Sequence, residues 1–259
     1  MRNVRVRLAY DGSKFHGWQR QDGFVTPQEE LEHALHDLTG GVCPVHGASR
    51  TDAGVHAHGQ VASFYCDTRL EDERLLGALN ARLPEGVSVR ALETCSPEFH
   101  ARYDARGKRY LYVVRTEAVR SPFGERAHSI RGALDYGAIR EAASYLLGTQ
   151  DFAAFSSTGA PRTSTVRTIA HLRVLQRRRV FAFVIQGDGF LYNMVRIIAG
   201  TLIAVGQGKR EPACIQRAIQ AGERTELGAT APARGLHLLR VLYSEPGFVA
   251  RQPRSLQER

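Results

Sequence analysis

Apolar and polar positions alternate with two different periods in the first forty residues, and each period predicts a different element. Residues 4–10 alternate apolar side chains with arginines and then reach a turn at Asp11 and Gly12, which is typical of a strand with one buried and one basic face. Residues 26–29 combine capping-box spacing with proline at the first helical position, and apolar residues follow at helical spacing. The pattern therefore predicts an amphipathic helix that ends at residues 40–41.

The order of the remaining elements predicts two similar halves. In the first half, a helix over residues 71–82 is expected between strands at 60–65 and 87–92. The pattern then restarts, with strands predicted at 108–115, 166–175, 180–186 and 236–243 and helices at 136–147 and 190–205. Each half therefore resembles a unit of strand, helix, strand, strand, helix, strand. This order is typical of ferredoxin-like and RNA-recognition-motif (RRM-like) folds, so we expect an α+β protein.

The boundary between the halves is expected near residue 105, inside the polar stretch 100–106. It gives an N-terminal half over residues 1–105 and a C-terminal half over residues 106–244. Residues 245–259 contain two prolines and no apolar periodicity, so they are predicted to form a mobile tail.

Composition favours a globular protein with a basic surface. The chain has 259 residues, of which 43% are hydrophobic, and this is enough for a buried core. Its formal net charge of +9 comes from arginine, because Lys14, Lys108 and Lys209 are its only lysines. Guanidinium groups bind phosphate oxygens and stack on bases, so the excess favours a nucleic-acid ligand. A genome rich in G and C, which favours arginine codons, would produce the same composition.

Cysteine usage and hydropathy favour a cytoplasmic protein. Four cysteines are scattered without a C-x-x-C pair, so neither a zinc site nor a disulfide framework is indicated. The first residues carry positive charge but lack the apolar stretch that a signal peptide requires. The most apolar run, residues 190–205, is interrupted by Asn193 and Arg196 and is shorter than a bilayer requires, so no membrane association is expected.

The stretch from residue 49 to 57 concentrates the groups that could perform chemistry. It contains one carboxylate at Asp52, one guanidinium at Arg50 and a glycine that permits a tight bend, so a loop is predicted. Two residues apart, Arg50 and Asp52 can face the same side of an extended backbone, where the cation would keep the carboxylate ionised. An isolated pair of this kind is more often an ordinary surface ion pair. Arg196 interrupts an apolar helix and would be costly to bury alone, so an acid should meet it, and Asp52 is the candidate.

Two other classes of function are compatible with parts of this pattern. His56 and His58 have a spacing found in metal sites, and with Asp52 they would give a metal-dependent hydrolase, although the same spacing is common in strands. A non-catalytic RNA-binding protein of two recognition-motif halves would explain the charge and the fold. That hypothesis leaves the loop around Asp52 unexplained.

Four segments of the chain resemble the tRNA pseudouridine synthase A family, in the order in which the family has them. Residues 9–19 contain Ala-Tyr-Asp-Gly and Phe-His-Gly-Trp-Gln, and residues 50–57 read Arg-Thr-Asp-Ala-Gly-Val-His-Ala. Residues 108–112 read Lys-Arg-Tyr-Leu-Tyr, and residues 189–196 read Gly-Phe-Leu-Tyr-Asn-Met-Val-Arg. Four ordered motifs are far more specific than any one of them. The resemblance covers about residues 4–243. It implies two halves related by pseudo-two-fold symmetry, joined in one mostly antiparallel sheet with the helices on one face.

The resemblance also implies a function and the residues that carry it. The family isomerises uridine to pseudouridine in the anticodon stem-loop of tRNA, at positions 38, 39 and 40, and works as a homodimer without cofactor or metal. Asp52 matches the catalytic carboxylate, and Tyr110 matches an aromatic ring that stacks on the flipped-out uracil. Arg196 matches an arginine beside the carboxylate, while Arg50 is expected to face phosphate or to assist the flip. Without the resemblance, Tyr110 would be interpreted as a core tyrosine of a strand.

Overall fold

The computed structural model describes residues 1–119, 126–157 and 164–244, which form ten strands of one sheet and five α-helices. The strands are β1 (Arg2–Tyr10), β2 (His46–Gly47), β3 (His56–Cys66), β4 (Val87–Thr94), β5 (Gly107–Thr116), β6 (His128–Ile130), β7 (Gly148–Asp151), β8 (Val166–Arg177), β9 (Val180–Gly187) and β10 (Leu236–Leu242). The helices are α1 (Pro27–Thr39), α2 (Asp72–Asn80), α3 (Tyr136–Ser144), α4 (Met194–Gly206) and α5 (Cys214–Ala221).

Both halves arrange their strands in the ferredoxin-like order. In the first half β1 lies between β4 and β3, and β2 pairs with the other edge of β3. In the second half the order is β10, β5, β9, β8, with β7 beyond β8. Within the described residues every strand pair is antiparallel except β3 with β10 and β5 with β6. In each half the two long helices contact each other, α1 with α2 and α3 with α4. The predicted α+β fold is therefore confirmed.

Local sequence signals account for both ends of α1. The Thr26 hydroxyl accepts a hydrogen bond from the Glu29 backbone N–H at 3.3 Å, and Gly40 closes α1 with a φ of 70°. The helix predicted over residues 190–205 instead begins at Met194, because Asn193 adopts a left-handed conformation with a φ of 62°. The helix predicted over 136–147 ends at Ser144. The sequence patterns did not predict α5 or the short strands β2, β6 and β7.

The proposed boundary near residue 105 falls in the segment between β4 and β5, and the division into two domains stays a prediction. The predicted mobile tail, residues 245–259, lies outside the described residues.

Helix α4 is buried along most of its length. A side chain at Gly200 would lie 1.8 Å from the carbonyl oxygen of Ala229, so only glycine allows this close approach. The backbone N–H of Ala231 also donates to the carbonyl of Arg196 at 3.0 Å. The segment before β10 is therefore pressed against the start of α4. Among the helices that the structure describes, none has the length and apolar content needed to cross a bilayer.

Strand β10 joins the two halves. Leu238 is opposite Ala57 of β3 on one side and opposite Tyr110 of β5 on the other. The strands approach closely at Gly59, where a side chain would lie 2.4 Å from the carbonyl oxygen of Leu239. This junction places the loop that precedes β3 near Tyr110 of β5.

Replacing Gly59 with alanine should therefore weaken the junction. The added methyl group would collide with the Leu239 backbone, which cannot rotate away, and we expect a loss of about 1–3 kcal/mol in the free energy of unfolding. Urea denaturation measures this loss. Gly77→Ala in α2 is the matched control, because no described atom outside the local helix backbone lies within 4 Å of the added carbon and alanine favours a helix by roughly 0.5–1 kcal/mol. Equal stability of the two variants would contradict the close approach.

Candidate active site

The opening segment of the chain holds the loop between β2 and β3. The backbone N–H of Trp18 donates to the carbonyl of Thr51 at 3.0 Å. The hydroxyls of Tyr10 and Thr51 lie 2.8 Å apart, within hydrogen-bond distance. Gly47 passes beneath the indole, where a side chain would lie 2.1 Å from Trp18 Nε1. These contacts explain why the aromatic opening motif accompanies the acidic loop.

Gln60 of β3 anchors the same loop from inside the core. Its side chain is fully buried, and its Nε2 donates to the carbonyl of Ser49 at 2.6 Å. Its Oε1 accepts from the backbone N–H groups of Ser49 and Val61, each at 3.2 Å. One glutamine thus satisfies both backbone polar groups of Ser49, which would otherwise be buried without a partner.

Asp52 lies at the turn of this loop. The backbone N–H of Val55 donates to the Asp52 carbonyl at 3.1 Å, and Gly54 has a φ of 80° that suits glycine. A side chain at Gly12 would lie 2.2 Å from the Val55 carbonyl oxygen, so the turn packs directly on the opening segment.

Arg196, in the first turn of α4, contacts the Asp52 carboxylate. Its Nη1 lies 3.1 Å from Asp52 Oδ2 and 2.9 Å from Asn193 Oδ1. Its Nε donates to the carbonyl of Ala231 at 2.8 Å. The side chains of Arg196 and Asp52 are 20% and 30% exposed, so the pair is partly shielded from water. Three partners therefore fix the direction in which this guanidinium points.

Tyr110 of β5 is buried, and its ring and hydroxyl both have fixed partners. The hydroxyl lies 2.9 Å from Ser49 Oγ. The ring meets Phe190 edge to face, with centroids 5.3 Å apart. Burial raises the pKa of the Tyr110 phenol to about 12, and the Asp52 charge acts in the same direction. The phenol is therefore neutral at physiological pH.

One open cavity of about 1010 Å³ brings all four predicted site residues together. Asp52, Tyr110 and Arg196 line it, and Arg50 is exposed. The expected ion pair between Arg50 and Asp52 is not formed. In the part of the chain that the structure describes, the cation that contacts Asp52 is Arg196.

The two histidines after the loop have other partners. His56 Nδ1 accepts from the backbone N–H of Gly12 at 3.1 Å, and its ring stacks on His237 with centroids 4.7 Å apart. His58 Nε2 lies 3.2 Å from His237 Nδ1. Burial lowers the pKa of His237 to about 4, so this ring is uncharged at neutral pH, and burial also lowers the pKa of His56 and His58. No three His, Cys, Asp or Glu side chains among the described residues converge to hold a metal ion.

Comparison with known proteins identifies the family. Residues 8–104 and 142–244 match the family model of tRNA pseudouridine synthase. The chain belongs to the tRNA pseudouridine synthase family. A tRNA pseudouridine synthase A of Acetivibrio thermocellus is 43% identical over 244 residues, which cover 94% of this chain and 100% of that protein. Another, of Shouchella clausii, is 42% identical over 255 residues and covers 98% of each. A solved Cbf5-Nop10-Gar1 complex matches at a TM-score of 0.34 and 12% identity, over 80% of this chain and 55% of that one, which is too low to compare sites.

Membership in the tRNA pseudouridine synthase family makes the chain an isomerase that acts on tRNA. The charges of the cavity suit a polyanionic substrate. Among its lining residues that the structure describes, Asp52 is the single acid. The lysine and arginine residues of the lining are Arg50, Arg102, Lys108, Arg167 and Arg196.

Sequence reasoning missed the residues that hold the site of this tRNA pseudouridine synthase in shape. Ser49 and Gln60 carry no signal of their own, because a serine in a loop and a glutamine in a strand are common. Asn193 falls inside the predicted helix 190–205, although asparagine tolerates the left-handed conformation that it adopts. Lys108 belongs to the motif over residues 108–112, and its place in the cavity wall follows only from the fold.

Removing the Gln60 amide should loosen the loop. Gln60→Leu keeps the approximate volume but leaves the N–H and C=O of Ser49 buried without partners, so we expect a loss of about 2–4 kcal/mol in the free energy of unfolding. Gln176→Leu, at an exposed position of β8, should change stability by no more than about 0.5 kcal/mol. Chemical denaturation of both variants is the measurement. A Gln60→Leu protein as stable as the Gln176→Leu protein would show that Ser49 finds other partners.

Proposed function

We propose that this chain isomerises uridine to pseudouridine in the anticodon stem-loop of tRNA, with Asp52 as its catalytic carboxylate. The observation that carries the proposal is the contact between Asp52 and Arg196 in a cavity that Tyr110 also lines. Asp52 comes from the first half of the chain and its two neighbours come from the second. We therefore also propose that residues 1–105 and 106–244 are two domains with the site between them.

The proposed reaction requires few protein groups. The bond between uracil N1 and ribose C1′ breaks, the uracil turns, and C5 bonds to C1′ while the C5 hydrogen is replaced by one on N1. Substrate and product are isomers, so the reaction needs no redox partner. A carboxylate assists by attacking or stabilising the sugar carbon, or by acting on the base. Asp52 suits this role because no other acid is found among the described lining residues.

The uracil must leave its helical stack before a carboxylate in a cavity can reach it. Tyr110 is proposed to receive the flipped base on its ring. Support comes from its place in the lining and from the two contacts, to Ser49 and Phe190, that fix the ring. A ring that is already immobile loses little entropy when a base stacks on it.

Arginines around the acid are proposed to hold the RNA. Arg196 offsets the charge of Asp52, and Arg50 is exposed where phosphate could reach it. Selection of tRNA positions 38, 39 and 40, assembly as a homodimer and a cytoplasmic location are proposed on the resemblance of the four motifs alone.

Mapping the product tests the substrate part of the proposal. Purified protein incubated with an unmodified tRNA transcript should produce pseudouridine at uridines 38, 39 and 40, because these positions lie in the proposed stem-loop. Carbodiimide labelling followed by primer extension locates each modified base. A transcript with cytidine at all three positions serves as the control and should remain unmodified. Pseudouridine only in another arm of the tRNA would contradict the assignment.

Replacing the carboxylate tests the catalytic part. Asp52→Asn keeps the shape and an acceptor for Arg196 but removes the charge, so kcat should fall by at least about 10⁴-fold while tRNA still binds. Asp52→Ala, which cannot regain a carboxylate by deamidation, should be equally inactive. Asp37→Asn, exposed on α1, should retain full activity. Turnover by Asp52→Ala near the level of the Asp37→Asn enzyme would refute the role.

A further inference from the structure

Lys108 occupies an unusual position on the cavity wall. It lies two residues before Tyr110 on β5, so both side chains are on the same face of the sheet, and both line the cavity. Its side chain is partly buried, and it makes no hydrogen bond or ion pair with any residue that the structure describes. An ordinary surface lysine extends its ammonium group into bulk water, whereas this one is held in a wall.

The charges nearest to Lys108 are positive. Burial, together with the charges of Arg102 and Arg167, lowers its pKa to about 8. Arg167 Nη1 donates to the carbonyls of Ser164 and Val166, at 3.2 and 2.6 Å, so no carboxylate neutralises it there. Three cations therefore converge on one wall, and within the described ranges none of them forms an ion pair. Such a cluster is unfavourable until an anion enters it.

The protein does not supply that anion from within the cavity. The single acid of the described lining is Asp52, which contacts Arg196 and is not among the charges that act on Lys108. The missing partner must therefore arrive with the substrate. The anionic group of RNA is its phosphodiester.

We propose that Lys108, flanked by Arg102 and Arg167, binds a phosphate that adjoins the uridine entering the cavity. This inference rests on the proposed function, because it assumes that the uracil lies against Tyr110. Lys108 is then a positioning residue. It holds the backbone of the flipped nucleotide while Asp52 meets the sugar or the base.

The ammonium group gives the site a specific pH dependence. Phosphate favours the charged form of Lys108 and raises its pKa, so binding should weaken as pH rises through the value of about 8 for the free protein. The other titratable and charged groups that line the cavity among the described residues are His46, Arg50, Asp52, His100, Arg102, Tyr103, Tyr110, Arg167, Tyr192 and Arg196. The pKa of His100 is lowered by burial and that of Tyr110 is raised to about 12, so neither changes charge between pH 7 and 9.

Binding of unmodified tRNA transcript to variants tests the proposal, with Asp52→Asn present in every arm so that no product forms. Lys108→Met should weaken binding at pH 7 by roughly ten- to a hundredfold and lower the slope of log Kd against log salt by about one. Lys209→Met, at an exposed position after α4, is the matched control and should change neither quantity. Equal Kd and equal slope for these two variants would overturn the proposal.

Rescue by arginine separates charge from structure. The parent protein of this series, which keeps Lys108, is called the Lys108 protein. Between pH 7 and 9 its affinity for tRNA should fall about tenfold, as expected when one ammonium group with a pKa of about 8 loses its charge. Lys108→Arg, which stays charged, should bind within about threefold of the Lys108 protein at pH 7 and show no such fall. The same fall in both proteins would assign the titration to another group and overturn the proposal.

A neutral backbone identifies the phosphate. Stem-loop RNAs with one uncharged methylphosphonate, placed 5′ or 3′ of the target uridine, are compared with the unmodified RNA. At one of the two positions the substitution should abolish the difference in Kd between the Lys108 protein and Lys108→Met. If the difference persists with both RNAs, Lys108 does not bind these phosphates. Failure of the proposed function would appear separately, as turnover by Asp52→Ala or as pseudouridine outside the stem-loop.

Discussion

The ion pair between Asp52 and Arg196 is the contact on which the site depends. The loop that carries Asp52 belongs to the first half of the chain, and α4, which carries Arg196, belongs to the second. Both side chains are partly buried, so removing either one leaves a charge without its partner, which is costly in a low-dielectric setting. The pair therefore couples the docking of the halves to the assembly of the site. Strand β10 sets the distance between the two halves, because it pairs with β3 on one side and β5 on the other.

The charges of the cavity bear on the electrostatic repulsion between a carboxylate and RNA. A polyanion is repelled by an acid, yet the proposed chemistry needs the acid beside the nucleotide. Arg196 offsets the charge of Asp52 by direct contact, and the other cations of the lining are proposed to bind the phosphates. Carboxylate and phosphate are thus given separate partners. In this arrangement the RNA backbone need not approach the acid.

Much of the fold could be predicted from the sequence, because the signals are local. The proline and threonine that begin α1 and the glycine that ends it act within one turn of the backbone. The need of Arg196 for an acid also follows from burial cost alone, and the structure brings it to Asp52. The prediction that Arg50 pairs with Asp52 was wrong, because side-chain direction along an irregular loop depends on contacts with residues far away in the chain. Gln60 and Lys108 act through such contacts, so periodicity alone does not single them out.

Buried and exposed residues alternate along the loop between β2 and β3. This alternation explains how a loop can hold an acidic side chain in a fixed position. Ser49 and Thr51 are buried, and each hydroxyl lies within hydrogen-bond distance of a tyrosine hydroxyl, Tyr110 for the first and Tyr10 for the second. Arg50 and Asp52, the alternate residues, are exposed and partly exposed at the cavity wall. Because these two anchors fix the backbone just before Asp52, and Arg196 contacts its carboxylate, the Asp52 side chain loses much of its freedom before any substrate arrives. As the proposed catalytic carboxylate, Asp52 would then reach its reacting geometry without a further entropic cost, which is what preorganisation contributes to catalysis.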